Sequence, residues 1–357
     1  MSFEPDMRAL VFEGPNRFSL KRISRPIPAA GEVLVRVHTA AICGTDLRIV
    51  AGTKTRDVRQ GYPIGHEAAG TVAAVGEGVT DYEVGQNVGI CVVVSCGDCV
   101  YCRADRENLC ETRITLGYQT DGAFADYMLI PARAVRRGNL FKLPSAVPLD
   151  VAPLVEPMAC CLNGQHEMGL HCDEGPAGQH GSRSLVIFGA GPIGLFHLLL
   201  ARGGSGLPIE HVTVVEPQAV RRERALQLGA DEVCSPEAFD AQDRFDAAIL
   251  AVGVPELVPQ AVRAVRKCGR VSLFAGFPVG VSASIDPNAI HYKQIRLFGA
   301  SESRRRDFAE ALQLVADGKI DPAPMITHRF APADHAEAFK TAANGEALKV
   351  VFNMSDA

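Results

Sequence analysis

A chain of 357 residues is long enough for roughly two domains at about 150 residues each. Its 47% hydrophobic and 22% charged residues are those of a folded soluble protein and speak against long disorder. The formal charge of −5, from 36 basic and 41 acidic side chains, supplies no general basic field, which argues against nucleic acid or an anionic membrane as partner. No run of 18 apolar residues occurs, and the apolar stretch nearest the start, residues 9–12, is too short for a secretory signal. A cytoplasmic protein is therefore expected. Eleven cysteines, odd in number and partly clustered, suggest metal ligands in a reducing compartment rather than a disulfide framework.

In chain order, the first 150 residues carry short alternating runs broken by glycine and proline, at 33–37, 70–75, 88–94 and 125–130, which predict an irregular all-β unit. From about residue 159 the rhythm becomes apolar strand, glycine turn, amphipathic helix. Strands are predicted at 185–188, 212–215, 247–252 and 271–275, with helices from Pro192, at 219–228 and at 257–265. Such alternation implies a doubly wound parallel sheet, because parallel neighbours need crossover connections. A helix at 305–316, a strand at 326–330, a helix at 333–343 and a strand at 349–352 complete the chain. The polar, glycine-rich segment 171–184 reads as a surface loop of unassigned role.

Two groups of side chains suggest metal. Cys96, Cys99, Cys102 and Cys110 have the spacing C-x2-C-x2-C-x7-C, compact enough to bring four thiolates to a tetrahedral zinc with no position left for substrate, hence a structural site. An iron–sulfur cluster fits less well, because the bacterial ferredoxin pattern would continue with three residues and Cys-Pro. Cys43 in I-C-G-T-D, His66 and Glu67 in G-H-E, and Glu156 in L-V-E-P-M are each unremarkable alone, as a buried thiol, a core imidazole or an ion-pair carboxylate. Together they offer sulfur, nitrogen and oxygen donors on glycine-flanked turns, a set suited to a second zinc with an open position. Such an ion can bind an alcohol, lower its hydroxyl pKa and make the adjacent C–H a better hydride donor.

After the strand L-V-I-F comes Gly189-Ala190-Gly191-Pro192-Ile193-Gly194, a G-x-G-x-x-G turn that opens an apolar helix and can receive a pyrophosphate at its start. Glu216, at the end of V-T-V-V and 22 residues past Gly194, is placed to accept ribose hydroxyls and to repel a 2′-phosphate, which favours NAD over NADP. Arg221 and Arg222 follow on a predicted helix and could argue for NADP, against their reading as a solvated face or a lid over adenine.

These motifs, in this order and over essentially the whole chain, resemble the zinc-dependent medium-chain dehydrogenase/reductase superfamily, with the nearest likeness to its sorbitol (polyol) and threonine dehydrogenase branch because Glu156-Pro157 stands where liver-type alcohol dehydrogenases have cysteine. The resemblance implies an α/β protein with a GroES-like irregular β catalytic domain over 1–157 and 301–357, and a Rossmann NAD-binding domain over 158–300. It also implies an active site in the cleft between them and assembly as a homodimer or homotetramer. Carried over by position, Cys43 and His66 hold the catalytic zinc with Glu67 and Glu156 as alternates. Thr45 passes the alcohol proton outward. Gly189, Gly191, Pro192, Ile193, Gly194, Glu216, Arg221, the segment Phe274-Ala275-Gly276 and the segment Ala300-Ser301-Glu302 contact the cofactor. Two departures stand out. Arg48 replaces the histidine that often serves as outer proton relay, and a guanidinium cannot shuttle a proton. Ser301-Glu302-Ser303 replaces the residues that hold sorbitol. Arg48 and Glu302 are then candidate substrate contacts. A Glu302 carboxylate facing the cleft would favour a polyhydroxylated or amino-bearing substrate over a carboxylate or phosphate ester, against its reading as a surface glutamate. In the opposite direction, the basic cluster Lys54, Arg56 and Arg59 could meet an anionic sugar derivative, against its reading as a solvated loop.

The implied activity is NAD-dependent oxidation of a secondary alcohol of a polyol, sugar or related small molecule to a ketone, with two zinc ions per chain. The alternatives are an L-threonine or other amino-alcohol 3-dehydrogenase and, from another class, a zinc-stabilised binding or regulatory protein without catalysis.

Overall fold

The computed structural model describes residues 6–170, 184–204 and 209–355; the segment predicted as a surface loop, but for Ser184, lies outside them. The chain divides into two compact units, one of residues 1–156, 303–317 and 321–357, the other of 157–302 and 318–320.

In the first unit the strand Val33–Ala41 is central. Its β-branched, alternating V-L-V-R-V start leaves only Arg36 exposed, as a strand with neighbours on both sides requires. It pairs antiparallel with Glu67–Val75 on one side and with Lys349–Asn353 on the other. The sheet runs Leu140–Lys142, Asn87–Ile90, Glu67–Val75, Val33–Ala41, Lys349–Asn353, Ile326–Phe330. Segments from both ends of the sequence thus build one sheet. Aromatic rings fill its interior, with Phe124 edge-on to Phe352 at 5.3 Å and to Phe339 at 6.1 Å.

The second unit is a six-stranded sheet, every pair parallel: Glu232–Cys234, His211–Val215, Ser184–Phe188, Phe245–Leu250, Val265–Leu273, Arg296–Gly299. In chain order this is 3-2-1-4-5-6, the doubly wound dinucleotide-binding arrangement. Strands L-V-I-F and V-T-V-V are buried along almost their whole length, as parallel strands covered on both faces must be.

Several local features differ from the sequence reading. The strand expected at 271–275 is Val265–Leu273, and the strands Asp6–Gly14, Arg17–Ser24 and Glu232–Cys234 are additional to those predicted. The single strand expected at 88–94 is two, Asn87–Ile90 and Val93–Val94. Asn139 Nδ2 donates to the Cys91 and Val93 carbonyls at 2.7 and 2.8 Å, so the backbone leaves the first ladder and pairs next with Ile114–Thr115. The helix expected from 333 begins as a 3₁₀ turn, Pro332–Asp334, and is α-helical over His335–Ala343. The helix Val155–Glu167 was not foreseen; Asn163 and Gly164 weaken its intrinsic propensity, and packing overrides them.

Inside the second unit His197 is completely buried, edge-on to Phe274 at 4.5 Å, with Gln165 Nε2 near its Nδ1 at 3.3 Å. Burial pushes its imidazole down to about 3 from an ordinary 6.5. The folded state therefore holds it neutral while the unfolded chain takes up a proton. Its contribution is complete above pH 6.5 and is lost as pH falls toward 3. Melting curves from about pH 7 to about pH 4 are expected to fall more steeply for the natural chain than for His197→Leu, by an amount on the order of a few kcal/mol; parallel slopes would remove His197 from the acid response.

Candidate metal centres and dinucleotide site

Strand register assembles the first centre. Ala41 lies opposite Glu67 on one neighbour and opposite Val351 on the other. The strand ends at Ala41, and two residues further on Cys43 caps the helix Gly44–Val50; two residues before Val351 is Lys349. Cys43, Glu67 and Lys349 are neighbours for that reason. His66, next to Glu67, joins them: one ligand atom from each of Cys43, His66 and Glu67 lies within 4.8 Å of the others. Glu156, buried in the first turn of Val155–Glu167, falls outside this close group, although its charge acts on Lys349 and Tyr118.

Three residues that sequence reasoning missed organise this centre. Asp46, fully buried, accepts the Cys43 backbone N–H through Oδ2 at 2.9 Å and meets His66 Nδ1 through Oδ1 at 3.2 Å. One carboxylate thereby fixes the helix start that carries Cys43 and turns His66 so that Nε2 faces away from it, the arrangement in which a ligating imidazole is held by an acid. Tyr118 hydroxyl is 3.4 Å from His66 Nε2. Lys349 Nζ is bonded to Glu67 Oε2 and donates to the Ile42 carbonyl at 3.3 Å. The one available signal was Asp46 in C-G-T-D, three residues after the residue that precedes the helix. Lys349 is 282 residues from Glu67 and only register reveals it.

The electrostatics follow. Burial opposes charge on Lys349, but Glu67, Cys43 and Glu156 raise it above its ordinary value. Burial likewise opposes charge on His66, while Tyr118, Asp46 and Cys43 raise it well above the usual imidazole range. This is a centre with donors enough to hold a cation. Glu67 Oε1 is buried without a hydrogen-bond partner among the described residues, and such an atom is costly unless something binds it. Sulfur, imidazole nitrogen and that free carboxylate oxygen fit zinc.

The four-cysteine loop forms the second group, its sulfurs within 4.8 Å of one another. Backbone N–H groups point at them: Cys96 at Cys110 Sγ (3.2 Å), Gly97 at Cys102 Sγ and Cys99 at Cys96 Sγ (both 3.4 Å). Backbone N–H groups of Cys102 and Glu111 bring the Cys99 thiol down to about 6, favouring the thiolate that zinc requires. Glu107 anchors the loop. Its carboxylate takes Ser95 Oγ at 3.2 Å, Arg137 at 3.4 Å, and the backbone and side chain of Arg305 at 2.8 and 3.0 Å.

In the second unit the predicted dinucleotide residues other than Arg221, which lies within the helix Ala219–Gln227, follow the carboxyl ends of parallel strands. Gly189–Gly194 follows Ser184–Phe188, Glu216 follows His211–Val215, Phe274–Gly276 follows Val265–Leu273, and Ala300–Glu302 follows Arg296–Gly299. That edge is where open α/β sheets bind ligands. Gly189 has φ +99° and a Cβ on Gly194 would lie 1.9 Å from the Gly189 carbonyl oxygen, so neither position admits a side chain. A Cβ on Gly191 would meet only Arg221 Nη1, at 3.9 Å, leaving the turn open to an approaching phosphate. Glu216 accepts the Ala190 and Gln218 N–H groups at 2.8 and 3.0 Å. Arg222 Nη1 is committed to the Glu216 and Pro217 carbonyls at 2.7 and 2.6 Å. Asn163 Nδ2 donates to the Ser301 and Glu302 carbonyls at 3.3 and 2.8 Å, fixing that turn.

Residues 29–144 match the alcohol dehydrogenase GroES-like domain and residues 192–317 the zinc-binding dehydrogenase domain. The chain is 34% identical over 346 residues to an L-threonine 3-dehydrogenase of Pyrococcus abyssi, covering 93% of this chain and 94% of the relative. Among solved structures it is similar to an alcohol dehydrogenase, RspB, of Escherichia coli CFT073 complexed with NADH, with TM-score 0.85, 28% identity and coverage of 98% and 100%. It is also similar to a protein described as a zinc-binding dehydrogenase of Sinorhizobium meliloti 1021 bound to NADP, with TM-score 0.88, 28% identity and the same coverage. The chain belongs to the zinc-dependent medium-chain dehydrogenase/reductase superfamily. It is an α/β oxidoreductase with a GroES-like domain and a Rossmann sheet, of the zinc- and nicotinamide-dependent alcohol dehydrogenase class. No helix among the described residues is long and apolar enough to cross a membrane.

Removing one member of a buried pair leaves an uncompensated charge and costs about 3–5 kcal/mol. Denaturant unfolding of the metal-free protein is expected to show a loss of that size for Lys349→Met, most of it recovered in Lys349→Met with Glu67→Gln. A loss no smaller in the double variant would show that the pair does not govern stability here.

Proposed function

We propose that the protein oxidises a secondary alcohol of a polyol, sugar or related small molecule to a ketone, with NAD as hydride acceptor. The observation that carries this reading is the donor set Cys43, His66 and Glu67, with Glu67 Oε1 left unpartnered. Zinc held there supplies a Lewis acid that makes a substrate hydroxyl acidic at neutral pH. Cys43 and His66 are the constant ligands, with Glu67 and Glu156 as alternate carboxylates. Asp46 keeps His66 oriented, and Lys349 holds the second oxygen of Glu67 so that Oε1 alone is offered.

Thr45 handles the proton. Its Oγ1 accepts a hydrogen bond from Arg48 Nη2 at 3.0 Å, which fixes the hydroxyl while leaving it a hydrogen to donate and a lone pair to accept. Arg48 stays protonated and takes no proton from it, so the proton leaves Thr45 through water or a ribose hydroxyl. The Gly189–Gly194 turn receives the pyrophosphate, and Glu216 selects the unphosphorylated ribose. The bonds of Arg222 Nη1 to the Glu216 and Pro217 carbonyls support NAD, because they draw one arm of the neighbouring guanidinium onto the backbone and away from a 2′-phosphate. Phe274, Ala275, Gly276, Ala300, Ser301 and Glu302 line the same strand edge and Arg221 lies over the turn, consistent with cofactor contacts.

A second reading is oxidation of L-threonine or another amino alcohol at its 3-hydroxyl, favoured by the 34% identity to L-threonine 3-dehydrogenases over 93% of the chain. NADH formation at 340 nm with polyols against L-threonine separates the two. A scaffold without catalysis would turn over neither and would hold one zinc.

Two variants test the assignments. Cys43→Ser is expected to abolish turnover and lower zinc from about two to about one per chain while leaving the melting temperature nearly unchanged. Cys99→Ser loses the other zinc and melts earlier. Near-normal activity in Cys43→Ser would refute the metal mechanism. Glu216→Ala is expected to raise the kcat/KM ratio of NADP to NAD roughly tenfold or more; an unchanged ratio would remove Glu216 from the ribose.

A further inference from the structure

The basic cluster Lys54, Arg56 and Arg59 is resolved by the structure into three different situations. Arg56, 94% exposed at its side chain, lies beside Asp57 at 3.5 Å. Arg59 stacks on Tyr62, 3.3 Å from the ring centroid, and meets Asp121 at 3.7 Å. Of the three, Lys54 is the one whose charged end lies against a residue that touches the metal centre. Its ammonium stands 5.0 Å from the centroid of the Tyr118 ring, and the hydroxyl of that ring is 3.4 Å from His66 Nε2. Half-buried, Lys54 has no carboxylate partner among the described residues.

Arg48 stands on the same turn. Its carbonyl accepts the backbone N–H groups of Thr53 and Lys54 at 2.9 and 3.1 Å, which ties the base of Lys54 to the helix that carries Cys43 and Thr45. The Arg48 guanidinium ends on Thr45 Oγ1, a neutral acceptor, and it too lacks a carboxylate partner among the described residues. The nearby acids are already engaged: Asp46 by His66 and the Cys43 N–H, Glu67 by Lys349, Asp121 by Arg59. Two cations thus stand against residues that adjoin the donor cluster, one over the Tyr118 ring and one on the Thr45 hydroxyl, and neither is in an ion pair among the described residues. A ring face is a weak partner for a half-buried ammonium compared with an anion.

We infer that the substrate is an anionic alcohol, bearing a carboxylate or phosphate a few bonds from the reacting carbon, and that Lys54 binds this group with Arg48 assisting. This rests on the dehydrogenase reading above and narrows its substrate class. Lys54 is then a specificity-determining residue that sets which alcohol is presented, while the ligands and Thr45 serve any alcohol.

The test uses the zinc-loaded, full-length protein with NAD and three alcohols on one scaffold: sorbitol, D-gluconate and sorbitol 6-phosphate. At least one anionic member is expected to exceed sorbitol in kcat/KM by roughly tenfold or more, and which one wins distinguishes carboxylate from phosphate. Lys54→Met should lower the anionic-to-neutral ratio by a similar factor, mainly through KM, and Lys54→Glu should invert it. Arg56→Met, which alters charge nearby but away from the centre, should leave the ratio in place. Preference for sorbitol, or an equal fall in both rates in Lys54→Met, would overturn the inference. If none of the three is oxidised, the polyol reading fails separately. Calorimetric titration of the zinc-loaded protein with D-gluconate and with sorbitol 6-phosphate then decides the anion reading. Binding of either that weakens at least tenfold in Lys54→Met supports it, and binding that is absent or indifferent to Lys54 overturns it.

Discussion

The chemistry of this chain depends on one register. Because Ala41 faces Glu67 across one ladder and Val351 across the other, the end of a single strand becomes the point where a thiol, an imidazole, a carboxylate and an ammonium converge from three remote parts of the sequence. A shift of one residue in either ladder would turn the corresponding side chains to the opposite face. The apolar alternation of Val33–Ala41, buried on both sides, makes that slip expensive. Packing of ordinary valines and alanines thus sets the distances among reactive groups.

Burying several ionisable groups together normally carries a heavy desolvation cost. Here the buried acids Asp46 and Glu67 have partners: Asp46 takes both a backbone N–H and His66, and Glu67 takes Lys349, which also donates to a backbone carbonyl. Among these atoms Glu67 Oε1 is left without a hydrogen-bond partner among the described residues, and it is the one that the donor set needs. Rigidity of the ligands therefore comes from hydrogen bonds that touch no substrate, which is how such centres keep their geometry.

Legibility in the sequence follows the range of the interaction. Cysteines at fixed short spacing, a glycine turn between strand and helix, and an acid at the next strand end are local patterns, and the four-cysteine group and a doubly wound parallel sheet are visible in the letters, whereas the strand order 3-2-1-4-5-6 and the short strand Glu232–Cys234 come from the structure. The parallel strands were readable because burial on both faces leaves unbroken apolar runs. Asp46 was half legible, since an acid three residues after the residue that starts a helix has a local role, but its bond to His66 is not local. Lys349 and Tyr118 carried no signal at all, because a lysine in a strand and a tyrosine in a loop look like surface residues until the ladder places them. Asn139, which splits one expected strand into two by taking two carbonyls, belongs to the same class.

The position of Lys349 in the chain has an effect on biogenesis. A ribosome releases Cys43, His66 and Glu67 nearly three hundred residues before the strand Lys349–Asn353 is made. Throughout that interval the nascent sheet has an open edge, and its acidic corner has no built-in counterion. Final closure of the sheet and neutralisation of Glu67 are consequently one event, and a metal ion captured earlier would meet a looser, more negative pocket than the finished enzyme offers.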